Sequence, residues 1–305
     1  MKILVIGGTG HMGSYLVDKL VANGHDVYVG SRGETYQRKD IRFEKVHFIT
    51  LNSKSKEEVR ALREYNFDVV VDFPGTAYNV WCELKDNISH LVACGSLWMM
   101  GYPHSIPTPE IPQGEIMSPA HRVRYGEFLE ILKEMKDAKA VFSAVLPPNV
   151  CGPGKVPIDQ LGGRSVICHR ALANGDKVYL PSGPEALIAP CDAEDIASLF
   201  ALIIENRKAS SGEMFNAGAK GSALTVSELI KTYGKLYGAE IPIEYVPFEE
   251  YKEKINTDIN GWWHLYSHMC PDITKAKNLL GYEPKYTSEE SMERAVRWLR
   301  ENKLV

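Results

Sequence analysis

The chain has 305 residues, of which 44% are hydrophobic and 24% charged, and its formal net charge is −4 at pH 7. That length can bury a large core as one big domain or two unequal lobes, and the mild acidity gives no electrostatic case for nucleic acid or an anionic membrane surface. No apolar run approaches the roughly 18–20 residues of a membrane span, and Met1-Lys2 leads straight into an apolar stretch, so neither a span nor a signal peptide is expected.

The first elements follow at once. Lys2 to Ile6 is a short aliphatic run of the kind that fills a strand buried on both faces. Gly7-Gly8-Thr9-Gly10-His11-Met12-Gly13 comes next. Tyr15, Leu16, Val17, Leu20 and Val21 then recur at helical spacing, and Asn23-Gly24 ends the helix before a second strand at Asp26 to Val29. A strand, a glycine-rich turn and a helix in this order point to a dinucleotide site. Glycines let a pyrophosphate approach the backbone, and the helix offers its free N–H groups and positive dipole end. Both Gly8-x-Gly10-x-x-Gly13 and Gly7-x-x-Gly10-x-x-Gly13 fit the pattern.

The end of the second strand bears on the cofactor. An Asp or Glu there favours NAD by bonding the ribose 2′-hydroxyl. This chain carries Gly30-Ser31-Arg32-Gly33, with Arg38 and Lys39 further on and Glu34 as the one dissenting charge. Ser31 and Arg32 suit a 2′-phosphate, so NADP(H) is favoured and NAD(H) is the alternative.

Alternation continues down the chain. Strands are expected at 46–49, 67–73, 91–94 and 140–146, with helices at 56–65, 78–87 and 122–135 between them. This is the pattern of an α/β protein with a parallel, doubly wound sheet. After Pro147-Pro148 the texture changes, and Gly, Pro and short elements dominate 149–190. A helix capped by Asp192 runs to Glu205, a strand follows at Met214 to Asn216, and a helix spans 225–237 with Thr225-x-x-Glu228 as a capping box. A terminal helix covers 288–302. We divide the chain into a dinucleotide-binding domain at 1–148 and, at 149–305, mainly a smaller substrate lobe with segments returning to the main sheet. Cys82, Cys94, Cys151, Cys168, Cys191 and Cys270 show no CxxC spacing. Reduced thiols in a cytoplasmic protein are expected, with no metal site.

Several blocks together resemble the extended short-chain dehydrogenase/reductase superfamily, in particular its NAD(P)-dependent epimerase/dehydratase and atypical reductase branches. They are the glycine turn at 7–13, Phe67 to Asp72, Leu146 to Gly154, Ala189 to Ala197, Glu213 to Gly218 and Asp272 to Pro284. They occur in family order over nearly the whole chain. The resemblance implies a Rossmann-type sheet with the cofactor over the C-terminal ends of its strands. Asn52 stands where the family often has an adenine-binding Asp, and Phe73, Pro74 and Gly75 occupy the loop that lines the cofactor. Asn149 stands where sugar-nucleotide members contact a diphosphate. A homodimer through a helix pair is also implied.

The same family uses a Ser or Thr, a Tyr and a Lys to move a proton while hydride moves. Ser96 falls at the hydroxyl position, but Tyr-x-x-x-Lys is missing. Taking Tyr125-Gly126 as the usual start puts Leu129 in the place of Lys, with Arg122 or Arg124 as the nearby charge. Counting from Ser96 puts His121 at the Tyr position and Tyr125 at the Lys position. Both readings stay open. The aromatic stretch from Asn260 to His268 serves either to stack on a ring or to fill a core. The function expected is hydride transfer at an oxygen-bearing carbon of a small molecule, with a sugar or sugar nucleotide among the candidates, through Ser96 and Tyr125 or His121. The alternative is a catalytically degenerate NADP(H)-binding sensor or partner protein.

Overall fold

A computed structural model describes residues 1–33, 45–221 and 223–305. Glu34, Arg38 and Lys39 lie outside the described residues. Six strands and six helices carry the frame: β1 Lys2–Ile6, α1 His11–Ala22, β2 Asp26–Ser31, β3 His47–Thr50, α2 Lys56–Ala61, β4 Val69–Asp72, α3 Ala77–Leu84, β5 His90–Cys94, α4 Pro119–Glu134, β6 Val141–Leu146, α5 Val166–Asn174 and α6 Ala193–Glu205. The main sheet is seven-stranded. β6, β5, β4, β1, β2 and β3 lie side by side in that order, with the strand Met214–Asn216 outside β6. Every pairing in it is parallel.

The apolar runs form strands because both faces of this sheet are covered. Ile3 and Val5 of β1 enter one core with Leu16, Val17 and Leu20 of α1 and Ile196, Leu199, Phe200 and Ile203 of α6. Leu4 and Ile6 enter the opposite core with Val59, Val80, Trp81, Phe128 and Ile131. Alternate side chains therefore point to opposite faces and all are apolar, which leaves continuous hydrophobic runs in the sequence. A third core gathers Leu172, Val178, Leu180, Leu229, Tyr233, Tyr251, Met292 and Val296 from the second half. Met214–Asn216 and α6 thus return from the second half to build the main sheet and its cover.

Several boundaries move. The helix expected over 56–65 is α-helical to Ala61 and then tightens into a 3-10 turn, Leu62–Tyr65, ending at Asn66 with φ 53°. The strand expected over 67–73 is only Val69–Asp72. The Gly/Pro-rich stretch hides α5, which is capped by Ser165 Oγ and stopped by Gly175 in the left-handed region. The capping box at Thr225 forms by half: Thr225 accepts from the Glu228 N–H, while Glu228 turns to Lys231 instead. A complete box sits at Thr287 and Glu290. Among the described residues no helix is long and apolar enough to cross a membrane, and no group of His, Cys, Asp and Glu could hold a metal ion.

Candidate functional site

A cleft of about 380 Å³ opens at the C-terminal ends of β1, β2 and β4. Its walls are Ile6, Gly7, Thr9, Gly10, Gly30 to Gly33, Leu51 to Lys54, Pro74 and Thr76. This is where an open α/β sheet binds its ligands. The glycine turn is built for it, and its glycines divide the work. Gly7 turns with φ +78° and donates to the Gly30 carbonyl at 2.8 Å. Gly10 is the N-cap of α1, and no side chain caps that helix, so its first N–H groups face outward. Gly8 and Gly13 do not line the cleft. A Cβ on Gly8 would press on Val17 and Val29, and one on Gly13 would run into the backbone of Gly7 and Gly8. They let the helix sit close on the sheet.

His11 and Met12 also turn away from the cleft. Met12 packs on the α1–α6 core. His11 is 8% exposed, and its Nε2 donates to the Pro153 carbonyl at 2.9 Å. Burial, with Arg164 and Lys155 nearby, pushes its pKa down to about 3, so the ring is neutral.

At the far end of the cleft Ser31 and Arg32 stand beside Asn52, Ser53 and Lys54, and among the described residues no carboxylate lines it. Asn52 Oδ1 accepts from the Lys54 N–H at 3.2 Å. Opposite, Asp72 shapes the loop after β4. It is fully buried and accepts from the N–H groups of Gly75 (2.9 Å) and Thr76 (2.8 Å) and from the Thr76 hydroxyl (2.6 Å). Burial raises the Asp72 pKa against those bonds and the nearby Arg124 charge. Pro74 faces the cleft, Gly75 turns with φ +82° beneath the Arg124 guanidinium, and Phe73 packs on Phe200 at 4.8 Å between ring centres. Asp72 was not singled out from the sequence. Its signal was an Asp ending a strand just before Pro-Gly, a turn-forming combination.

The other residues expected from the sequence to form the site lie at β5, β6 and α4. Ser96 follows β5, and its Oγ accepts from the Trp98 N–H at 3.3 Å. This caps the turn Leu97–Met100 and leaves the hydroxyl proton for another partner. Leu97 N–H donates to the Pro147 carbonyl at 3.0 Å, so this turn lies beside the loop after β6. In that loop Asn149 is buried, and its Nδ2 has no hydrogen-bond partner. Tyr125 packs against the core beneath α4, and burial raises its pKa. An activated phenol would be shifted the other way. His121, one turn earlier, lies 5.8 Å from the Trp98 ring with a buried, unpartnered Nδ1. Burial and the charge of Arg124 lower its pKa. Counting from Ser96 therefore gives the His that faces Trp98. From the aromatic stretch, Leu265 is core, Tyr266 stacks on Phe248, and His264 comes to Trp98.

Comparison with known proteins agrees with this frame. Residues 3–87 match the model of the NAD dependent epimerase/dehydratase family. A 90-residue stretch is 30% identical to a UDP-glucuronate 4-epimerase of Thermodesulfobacterium geofontis, covering 30% of this chain but only 24% of that relative. The chloroplast stem-loop binding protein of 41 kDa b of Arabidopsis thaliana is 24% identical over 95% of this chain and 77% of its own length. The solved UDP-glucose 4-epimerase of Thermotoga maritima, with UDP-glucose, superposes with a TM-score of 0.78. It covers 99% of this chain and 100% of that one at 21% identity, which establishes a shared fold. The glycine-lined cleft stands where open α/β sheets hold a dinucleotide, at the strand ends beside a helix N-terminus that no side chain caps. The family-model match is confined to residues 3–87, and over its whole length the chain shares the fold of the solved epimerase.

Proposed function

We propose that this protein is an NAD(P)-dependent oxidoreductase or epimerase/dehydratase that acts at an oxygen-bearing carbon of a small molecule of the sugar or sugar-nucleotide class. The observation that carries the reading is the glycine-lined cleft at the C-terminal ends of β1, β2 and β4, with Ser96 in the turn that follows β5, the strand beside β4. The relatives named as epimerases of UDP-sugars support the substrate class. NADP(H) is the favoured cofactor because Ser31, Arg32 and Lys54 line the adenosine end, with no carboxylate among the described residues there. The six unpaired cysteines support a cytoplasmic setting. A homodimer, implied by the family, would show in sedimentation equilibrium.

A nicotinamide held in the cleft supplies the acceptance and return of hydride. The chain supplies the rest. Ser96 donates its remaining proton to the substrate oxygen and orients it. His121 takes that oxygen's proton as the carbon is oxidised and returns it on reduction. Arg124 and burial keep His121 neutral between turnovers, ready to act as a base. Tyr125 supports α4 from the core side.

Calorimetric titration with NADPH, NADP⁺, NADH and NAD⁺ is the first test. Arg32→Ala should weaken NADP(H) about tenfold or more and leave NAD(H) nearly unchanged, as expected for a charge-assisted phosphate contact. Equal or tighter NAD(H) binding by the wild type would overturn the cofactor choice. In a turnover screen, Ser96→Ala and His121→Asn should lose activity about a hundredfold or more, and Tyr125→Phe should not.

The second reading, a cofactor-binding sensor or partner, rests on the missing Tyr-x-x-x-Lys pair and the likeness to a stem-loop binding protein, and the epimerase relatives weigh against it. It requires nucleotide binding without turnover of any carbonyl or sugar substrate.

A further inference from the structure

Two arginines stand near the start of α4, and the fold sends them to different places. Arg122 turns outward, where its Nη2 donates to Glu115 at 3.2 Å and to the Ile116 carbonyl at 2.9 Å. Arg124 turns to the loop after β4. Its guanidinium lies on Gly75, so closely that a Cβ on that residue would collide with it. Glycine is therefore required there by its φ of +82° and again by the group seated on it.

The seat leaves the cation open to a ligand. Arg124 is half-buried, and among the described residues no hydrogen bond or ion pair holds its guanidinium. Its nitrogens are not sealed in protein either. The groups that feel its charge locate it: Asp72 at the end of β4, Cys94 at the end of β5 and His121 one turn earlier on α4. Asp72 is the acid among them, and its carboxylate is committed to the N–H groups of Gly75 and Thr76 and to the Thr76 hydroxyl. The guanidinium donors remain for whatever enters from the cleft. Pro74 and Thr76, on either side of Gly75, already line that cleft, so Arg124 sits at its rim.

A dinucleotide in an open α/β sheet straddles the point where the strand order reverses, here between β1 and β4. With the adenosine end against Ser31, Arg32 and Asn52, the nicotinamide end falls to the β4–β5 side, where Arg124 stands. The two redox states differ there in charge. The oxidised ring is a cation and the reduced ring is neutral. A fixed guanidinium repels the first and not the second.

We propose that Arg124 is a cofactor-contacting residue that makes this protein hold the reduced nicotinamide cofactor more tightly than the oxidised one. This rests on the proposed function for the occupant of the cleft and adds a preference between its redox states, set by one side chain.

The experiment is calorimetric titration of the full-length protein with NADPH, NADP⁺ and adenosine 2′,5′-bisphosphate, and in parallel with NADH, NAD⁺ and ADP. The last member of each set carries the adenosine end alone. The wild type should bind the reduced member of the tighter pair about tenfold better than the oxidised one, the size of a unit-charge repulsion in a partly screened site. Arg124→Gln should remove most of that ratio and leave the affinity for the adenosine fragment as in the wild type. Arg124→Lys keeps the charge and should keep most of the ratio. The proposal is overturned by equal affinity for the two redox states in the wild type, by an unchanged ratio in Arg124→Gln, or by its loss in Arg124→Lys. A merely structural Arg124 would weaken the adenosine fragment and both redox states alike, which also overturns it. If Arg124→Gln does not fold, the salt dependence of the wild-type ratio decides: a ratio set by charge shrinks as ionic strength rises, and a flat ratio sinks the proposal. Failure of every one of these ligands to bind would instead bring down the proposed function, and this inference with it.

Discussion

His11 Nε2 donates to the carbonyl of Pro153 at 2.9 Å, and so fastens the first turn of α1 to the loop after β6. Tyr15 adds its hydroxyl to the same carbonyl at 3.1 Å. The bond fixes the tautomer: the proton is on Nε2, and Nδ1 is left bare. Gly154, with φ +105°, lies against the ring, and a Cβ there would come within 3.2 Å of it. One half of the glycine motif thus binds the chain to itself. His11→Ala should lower stability by about 1–2 kcal/mol in urea denaturation. An unchanged midpoint would mean that the loop is held by Tyr15 alone.

Two glycine-to-alanine changes should have opposite signs. At Gly13 the new methyl would come within 2.8 Å of the Gly8 Cα, in backbone that cannot yield. Gly13→Ala should cost about 3 kcal/mol or prevent folding. Gly126 is exposed within α4, with nothing within 4 Å of the position of a Cβ. Gly126→Ala should gain roughly 0.5–1 kcal/mol through helix propensity. Thermal melts of the pair give the answer directly.

Asp72→Ala removes the acceptor for three donors at the loop after β4. A loss of about 2–4 kcal/mol is expected, since the two N–H groups and the hydroxyl lose their partner together. Weaker nucleotide binding should accompany it, because Pro74 and Thr76 of this loop face the cleft. Calorimetry at a temperature where the variant is folded separates the two effects. Full affinity there would show that the loop plays no part in binding.

Acid should destabilise the fold through buried neutral histidines. His90 Nε2 donates to Ser143 Oγ at 2.9 Å, and that hydroxyl donates onward to the Ser210 carbonyl at 2.6 Å. Burial, helped by the charge of Arg207, pushes the His90 pKa down to about 4 from the usual 6.5. Below pH 6.5 the unfolded chain takes up this proton and the folded chain does not. Stability from this group is therefore complete above pH 6.5 and falls as pH is lowered toward 4, by about 2 kcal/mol at pH 5. Asp192, raised to about 6 by burial, works in the opposite direction between about pH 4 and 6 and blunts the total. His90→Asn should flatten the slope of stability between pH 7 and 5. A slope equal to that of the wild type would remove His90 from the account.

Much of the frame was legible because it obeys local rules. The strands of the main sheet are apolar on both faces, and the glycine turn follows from what a close backbone approach requires. α5 was not legible, because Gly162, Gly163 and Gly175 surround a short helix whose only clear signal is Ser165. Of the candidate site, the cleft ends at Gly7, Gly10, Ser31 and Arg32 could be read from spacing. The inward packing of Gly8, Met12 and Gly13 could not, since the same glycine pattern serves both binding and close packing. His121 and Tyr125 differ by one helical turn, and only the direction of each side chain separates them. His264 reaches Trp98 across more than 160 residues of chain, a relation that no local pattern encodes.

The return of Met214–Asn216 to the edge of β6, with α6 lying on α1, sets a condition on how the protein is made. A ribosome completes β6 well before it has synthesised the strand and helix that cover it. For roughly 70 residues of translation, several seconds at ordinary speeds, the nascent sheet has an open edge and α1 an uncovered apolar side. The nucleotide cleft lies wholly within the part made first. Early nucleotide capture would steady that half while its cover is still being synthesised.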